Sequence, residues 1–308
     1  MMLNTAPGHA KDCGGISVVT RNCGRLPLLQ RCFQSLRAAA FPGTEWIIVE
    51  DGDRDSADLR DFVTDARQQW KGTVTIVGSS HRHRAKAANI GLQAASGAFI
   101  HFFDDDDTVD PRFYIKTIDF LQSQPRFGAV ATLSECAREK SLPDGTFERI
   151  SRRPHYPELR AISLAEFAVV QSFPPIAFVA RRDAVDATGP FDESLEVCED
   201  YEFYLRFLTK FDIGVLPEIL CAFHKREPTG KESRDLLNSS ASLDHGLEDK
   251  LFRNKLLRRD MDEGNLGIGW LLTFGDMSRA AWRANLVFDA LQRRRLPRLL
   301  LSWLRGDT

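Results

Sequence analysis

Ala98-Phe99-Ile100-His101-Phe102-Phe103-Asp104-Asp105-Asp106-Asp107 is an apolar run that ends in four consecutive aspartates. Its β-branched and aromatic residues predict a buried strand, so the carboxylates arrive together where strand meets loop. Like charges gathered at one point repel unless something positive neutralises them. A hard divalent cation, Mg²⁺ or Mn²⁺, is the natural partner of such oxygen ligands. Mg²⁺ takes one or two carboxylates and completes its shell with water and substrate phosphates. The stretch therefore predicts a metal and phosphate site at the carboxyl end of a central strand, where open α/β sheets bind ligands. The plainer reading is a solvated acidic turn capping a helix near Pro111.

Outward from this strand the chain alternates. Ile16-Ser17-Val18-Val19-Thr20 reads as a first strand, and residues 25–39 carry apolar side chains at helical spacing. Glu45-Trp46-Ile47-Ile48-Val49-Glu50 is a second strand, closed by the turn signal Asp51-Gly52-Asp53. Ser56 suits the N-cap of a helix running to Trp70. Residues 73–77 form a third strand and 85–95 a helix stopped by Gly97. Such βαβαβαβ order predicts a mostly parallel sheet with right-handed crossovers. Beyond residue 125 the pattern loosens. Strands are expected over 129–136, 176–180 and 212–223, the last broken by Pro217, with a hairpin turn at Pro143-Asp144-Gly145. Helices are expected over 164–170 and 199–210, and from about 241 to the end.

The 308 residues, 43% hydrophobic and 27% charged, suit one large α/β domain with an appendage. A net charge of −2 gives no global signal for nucleic acid. No apolar run approaches the roughly 18 residues of a membrane span. The first fifteen residues read as a flexible tail without a signal-peptide core. Six scattered cysteines without C-x-x-C pairs point to reduced thiols and a cytoplasmic protein. The arginine-rich end, residues 277–308, reads either as a basic amphipathic helix at the inner face of a membrane or, more simply, as helix packing or a homodimer contact.

Five separated elements then line up: Ser17-Val18-Val19-Thr20-Arg21-Asn22, Glu50-Asp51-Gly52-Asp53, Lys86-Ala87-Ala88-Asn89, the aspartate run, and Gly189-Pro190-Phe191-Asp192-Glu193 followed by Cys198-Glu199-Asp200-Tyr201. Their order and spacing over residues 15–225 resemble the family 2 glycosyltransferases, inverting enzymes of GT-A fold. The resemblance implies a Rossmann-like, mostly parallel sheet flanked by helices, with a C-terminal helical extension. It divides the chain into a tail (1–15), a nucleotide-sugar-binding half (16–125), an acceptor and catalytic half (126–235) and a helical extension (236–308).

The resemblance also implies roles. Thr20 and the acidic pair Glu50-Asp51 lie around the base and ribose, with Glu50 standing where the family has Asp, and Arg21 is a further substrate- or nucleotide-binding residue. The segment from Lys86 to Asn89 approaches the phosphates. Where the family often has Arg this chain has Ala88, so Lys86, Arg84 or Arg82 supplies the charge. Asp104 and Asp106 fit the D-x-D spacing, with Asp106 the expected direct ligand of Mn²⁺ or Mg²⁺ and Asp105 facing the sugar or ribose. Asp200 matches the general base that deprotonates the acceptor hydroxyl. Glu199, beside it, suits the helix cap. His224 is read either as a group against metal or phosphate or as a surface histidine. The implied donor is a nucleotide sugar, UDP by default, and the implied acceptor a glycan or lipid-linked glycan in bacterial surface-polysaccharide synthesis.

Rival readings are weaker. Asp104-x-Asp106-x-Thr108 fits the opening of haloacid-dehalogenase-like phosphatases, but three strand–helix units precede it and no later Lys and acidic pair can be placed. A non-catalytic nucleotide-sugar-binding protein conflicts with the presence of every acidic residue the chemistry needs. His81-Arg82-His83 lacks further zinc ligands. Gly230-Lys231 lacks the rest of a phosphate loop, and the sequon Asn238-Ser239-Ser240 carries no meaning in a cytoplasmic protein.

Overall fold

The computed structural model describes residues 14–51, 56–79, 83–142, 146–227 and 245–292, with side chains for all of these except 245 and 282–292. Residues 1–13 of the tail, the Gly52-Asp53 turn, His81, Arg82, the 143–145 turn, Gly230-Lys231, the sequon and residues 293–308 of the arginine-rich end lie outside them.

The first half follows the predicted alternation: β1 (Ile16–Asn22), α1 (Leu26–Ala38), β2 (Glu45–Asp51), α2 (Ala57–Gln69), β3 (Thr73–Ser79), α3 (Arg84–Ala94) and β4 (Phe99–Phe102). Local chemistry sets the helix starts. Pro27 sits in the first turn of α1, where its missing N–H goes unused. The Ser56 hydroxyl caps α2 by accepting the Leu59 N–H at 3.2 Å. The four strands lie side by side as β3-β2-β1-β4, all parallel. Because β1 sits between β2 and β4, the winding reverses at the β1/β4 boundary, the topological switch point of such sheets. Helix α3 lies very close to this sheet. A Cβ on Gly91 would run into Val19 and come within 2.9 Å of Val49 Cγ2, so only glycine fits there.

The second half comprises β5 (Thr108–Val109), α4 (Phe113–Ser123), β6 (Phe127–Ser141), β7 (Phe147–His155), α5 (Leu164–Val169), β8 (Phe178–Arg181), α6 (Arg182–Thr188), α7 (Glu199–Leu208) and β9 (Asp212–Glu227). It extends the sheet from β4 through β8, β6 and β9 to β5, with β7 on β6. The mostly parallel sheet expected from the alternation is therefore a mixed one. Strand β8 runs antiparallel to β4 and β6, β7 to β6 and β5 to β9, while β6 and β9 are parallel. Strand–helix–strand crossovers impose parallel pairing, and they stop at β4.

Pro217 does not break β9. The register against β6 slips beside it, between Thr132 and Ser134, where a missing ladder N–H is tolerated. The strand expected from Ile176 opens instead as a single 3₁₀ turn, Pro175–Ala177.

Aromatic side chains fill both faces of the sheet. Phe33 of α1 stacks on Trp46 of β2 at 5.2 Å, and Phe191 stacks on Phe203 of α7 at 4.5 Å while meeting Phe102 edge-on. His101 is wholly buried in β4. Its Nε2 lies 3.0 Å from the Ile176 carbonyl and its Nδ1 2.9 Å from the Tyr114 hydroxyl. A carbonyl can only accept, so Nε2 carries the proton and Nδ1 accepts from the tyrosine. Burial pushes this imidazole down to about 3, so it is a neutral core group.

The described chain divides into two compact units, residues 14–161 with 172–227, and residues 162–171 with 245–292. In the second unit α5 joins α8 (His245–Glu263) and α9 (Ile268–Gln292). Gly275 of α9 lies against the α5 backbone at Ala168, and Gly269 against the α8 backbone at Leu256 and Leu257. Asp260, almost wholly buried, accepts the Trp270 N–H at 3.1 Å near the start of α9. No helix among the described residues is long and apolar enough to cross a membrane.

Candidate active site

The parallel strands bring Arg21 of β1, Glu50 and Asp51 of β2, and the aspartates after β4 to one edge of the sheet. The connection after α6 carries the N-terminus of α7 to the same place. Arg21 joins these parts. Its Nε donates to Asp104 Oδ1 at 2.7 Å and its Nη2 to Asp104 Oδ2 at 2.9 Å, a fork matched to a carboxylate. Its Nη1 donates to Glu199 Oε1 at 3.0 Å. Arg84, in the first turn of α3, repeats the link, with Nε 3.0 Å from Glu199 and Nη2 3.5 Å from Asp104. Burial opposes charge on Glu199, yet Arg84 and Arg21 hold its carboxyl below the usual carboxylate range. Arg84 in turn is held up by Glu199 first, and by Asp104 and Asp200 as well. The first aspartate of the run, the α3 N-terminus and the Glu199-Asp200 pair thus share one electrostatic site at the switch point.

Asp200 is half-buried, and its Oδ1 accepts the Tyr201 N–H at 2.8 Å. The residue before the pair, Cys198, adopts a left-handed conformation with φ of 65°. Strain of this kind in a non-glycine residue concentrates at functional sites. Glu199 Oε1 meets both arginines, and the carboxylate also takes a backbone hydrogen bond at its own position in the first turn of α7.

Other expected site residues are placed differently. Thr20 is fully buried, and its hydroxyl accepts the Trp46 indole N–H at 2.8 Å. Successive strand residues face opposite sides, so Thr20 points into the layer beneath α1 while Arg21 points to the site. Asn89 is buried and clamps the 189–193 segment. Its amide donates to the Phe191 carbonyl at 3.1 Å and to Glu193 at 2.9 Å, and its oxygen accepts the Phe191 N–H at 2.9 Å. It shapes the site through that segment. Glu50 accepts from the Asn22 amide and, at 2.9 Å, from the Gly24 N–H. Asp51 accepts from the Ser79 hydroxyl at 2.7 Å and the His83 N–H at 2.6 Å, tying the ends of β2 and β3 to the start of α3. Lys86, half-buried in the first turn of α3, makes no ion pair among the described residues.

Asp105, expected to face the sugar or ribose, is fully buried and gripped by Arg25, whose Nε lies 3.0 Å from Oδ2 and whose Nη2 reaches Oδ1. Burial pushes the Asp105 carboxyl up, against the pull of Arg25. Asp106 pairs with Arg226, a fully buried guanidinium at the end of β9. Desolvation opposes its charge, but Arg25 and Arg226 hold its carboxyl well below the usual range. Asp107 accepts the His224 N–H at 3.1 Å. The His224 ring lies between Thr108 at 3.0 Å and Glu139 at 2.9 Å, and burial lowers its basicity. Glu139 also takes Arg31 at 2.8 Å. Arg25, Arg31, Arg226 and Glu139 carry no motif. The signal that points to such residues is the aspartate run itself, because buried carboxylates require nearby cations.

Hard oxygen donors of this kind fit Mg²⁺ or Mn²⁺, and Asp106 with Asp104 are the residues that would hold the ion. No trio of His, Cys, Asp or Glu among the described residues forms a ready-made cage. A metal held by one or two carboxylates and by substrate phosphates needs none.

A half-parallel sheet with a charged site at its switch point, continued by antiparallel strands and flanked by helices, defines an α/β protein of GT-A type. Truncated Staphylococcus aureus TarS (residues 1–349) in complex with UDP-GlcNAc has this fold, at a TM-score of 0.56 and 18% identity over 80% of this chain and 73% of that one. The mannosyltransferase PcManGT from Pyrobaculum calidifontis, in complex with GDP-Man and Mn²⁺, matches at a TM-score of 0.54 and 14% identity, over 87% and 75%. The model of Glycosyl transferase family 2 matches residues 16–186, and the chain belongs to that family.

Among curated relatives, the amylovoran biosynthesis glycosyltransferase AmsE of Erwinia amylovora is 26% identical over 62% of this chain and 68% of its own. The uncharacterized glycosyltransferase YwdF of Bacillus subtilis is 23% identical over 89% and 95%. The match spans 54% of the Nostoc glycosyltransferase alr2836 and 43% of the longer TarS chain.

Proposed function

We propose that the protein is an inverting glycosyltransferase that moves a sugar from a nucleoside-diphosphate donor, UDP-linked by default, to a hydroxyl of a glycan or lipid-linked glycan acceptor in polysaccharide synthesis. The observation that carries this reading is the pair of arginines, Arg21 and Arg84, that binds Asp104 to Glu199 and so brings the aspartate run and Asp200 to one site. Family membership, the biosynthetic role printed for AmsE, and the nucleotide sugars bound by TarS and PcManGT support the donor class.

In this reading Asp200 accepts the proton of the acceptor hydroxyl. The oxygen forms a bond to the anomeric carbon from the face opposite the diphosphate, and the bond from that carbon to the diphosphate oxygen breaks, its electron pair leaving with the nucleotide. One displacement inverts the centre. Arg84 and Lys86 at the start of α3 supply positive charge to the diphosphate, and Glu50 and Asp51 line the approach of the base and ribose. Asp106 and Asp104 would hold a divalent ion, and such an ion would supply Lewis-acid neutralisation of the departing diphosphate.

Thermal denaturation with a panel of nucleotide sugars, with and without Mn²⁺, tests the reading. One donor class is expected to raise the melting temperature, and to raise it further with metal, because only the native state binds it. A flat response across the panel contradicts it.

A further inference from the structure

Five arginines surround the aspartate run. Arg21 and Arg84 face Asp104, Arg25 faces Asp105 and lies 3.7 Å from Asp106, Arg226 pairs with Asp106, and Arg31 donates to the Asp106 carbonyl. The same arginines hold Glu199 and Glu139. Five carboxylates thus meet five guanidinium groups, a formal balance of charge among the described side chains of these contacts.

Arg226 is the member already paired with Asp106, the expected metal ligand. Its side chain is 0% exposed, and it bridges Asp106 to Glu139, with Nη1 3.6 Å from Glu139 Oε1. A divalent ion arriving alone would meet a guanidinium already on its ligand. It would also turn a balanced, desolvated cluster net positive, a costly state at low effective dielectric. An ion arriving on a diphosphate brings compensating negative charge with it. The phosphate oxygens also offer the displaced guanidinium new partners beside Glu139.

We propose that Arg226 is the resident counter-ion of Asp106, and that the divalent metal enters this site only together with the nucleotide diphosphate. The proposal rests on the donor reading given above. Arg226 acts here as a positioning residue, through Asp106.

Mn²⁺ binding to the full chain, followed by the loss of the free-ion paramagnetic resonance signal beyond the loss each nucleotide causes in the absence of protein, tests this. It is measured with the metal alone and with UDP, GDP, ADP, CDP or dTDP in turn. Wild type is expected to bind Mn²⁺ at least about 10-fold more weakly alone than with its preferred nucleotide, a coupling of about 1.4 kcal/mol. Arg226→Gln is expected to tighten binding of the metal alone, and Arg226→Lys, which keeps a cation, to restore the dependence on nucleotide. Equal Mn²⁺ affinity with and without every nucleotide overturns the proposal, and that comparison needs only the wild-type protein. So does an Arg226→Gln variant, folded by its melting curve, whose affinity for Mn²⁺ alone is unchanged or lower. Absence of any nucleotide or metal binding by wild type defeats the donor reading itself, and the proposal with it.

Discussion

Asp200→Asn is expected to lower sugar transfer by about 10²–10⁴-fold, the contribution of a positioned general base, while leaving the affinity for the nucleotide within a few-fold of wild type. The asymmetry follows from where the residue sits. Asp200 is the half-buried member of the pair that opens α7, whereas its neighbour Glu199 is buried and committed to Arg21 and Arg84. An asparagine keeps the side-chain oxygen that accepts the Tyr201 N–H, so the helix start keeps its local bond. What the amide cannot do is take a proton. The measurement is kcat alongside the dissociation constant of the nucleotide. Near-normal turnover in this variant removes Asp200 from its role. A loss of nucleotide binding that matches the loss of turnover would make it a binding group instead.

Arg25→Leu is expected to cost about 3–5 kcal/mol of stability, because it strips the fork from a carboxylate with no exposure to solvent. For a chain of this size that is a fall in melting temperature of roughly 10 °C. The loss comes from the charge left behind, more than from the worth of the pair itself. The double variant Arg25→Leu with Asp105→Leu should therefore recover most of it, as buried pairs exchanged for apolar groups often do. A loss below about 1 kcal/mol in the single variant, or no recovery in the double, would mean that Asp105 finds another counter-charge or is neutral in the native protein.

The parts of the fold that were legible in the chain are those where one physical rule dominates. From Ile16 to Phe102, buried strands alternate with amphipathic helices, and crossovers of that kind leave only a parallel sheet. Past Phe127 the rules compete. Strands β6 and β9 run long, past the core into a half-exposed arm, so their hydrophobic pattern fades before the strands end. Helix α6 is only seven residues, too short for periodicity to declare it. Pro217 looked like a break within the strand because register slips against a neighbour cannot be seen in one strand.

The site divides in the same way. Arg21, Arg84, Asp104 and Glu199 could be anticipated because motifs at strand and helix ends gather there. The partners of Thr20 and Asn89 were not legible: a one-residue step along β1 changes the face that Thr20 presents, and the Asn89 amide bonds the Phe191 backbone, 102 positions away in the chain. Arg25 and Arg226 were invisible as residues but implied as charges. Four carboxylates in a buried run required cations, and the chain supplies its own.

The central claim is that nucleotide and base meet at the β1/β4 switch point. A crystal structure of the protein with Mn²⁺ and its preferred nucleoside diphosphate tests this most directly. The account predicts the diphosphate beyond the carboxyl ends of β1 and β4, the ion on Asp106, and the Asp200 carboxylate facing the space beside the β-phosphate. A nucleotide bound elsewhere, or Asp200 turned away from it behind Glu199, would contradict it.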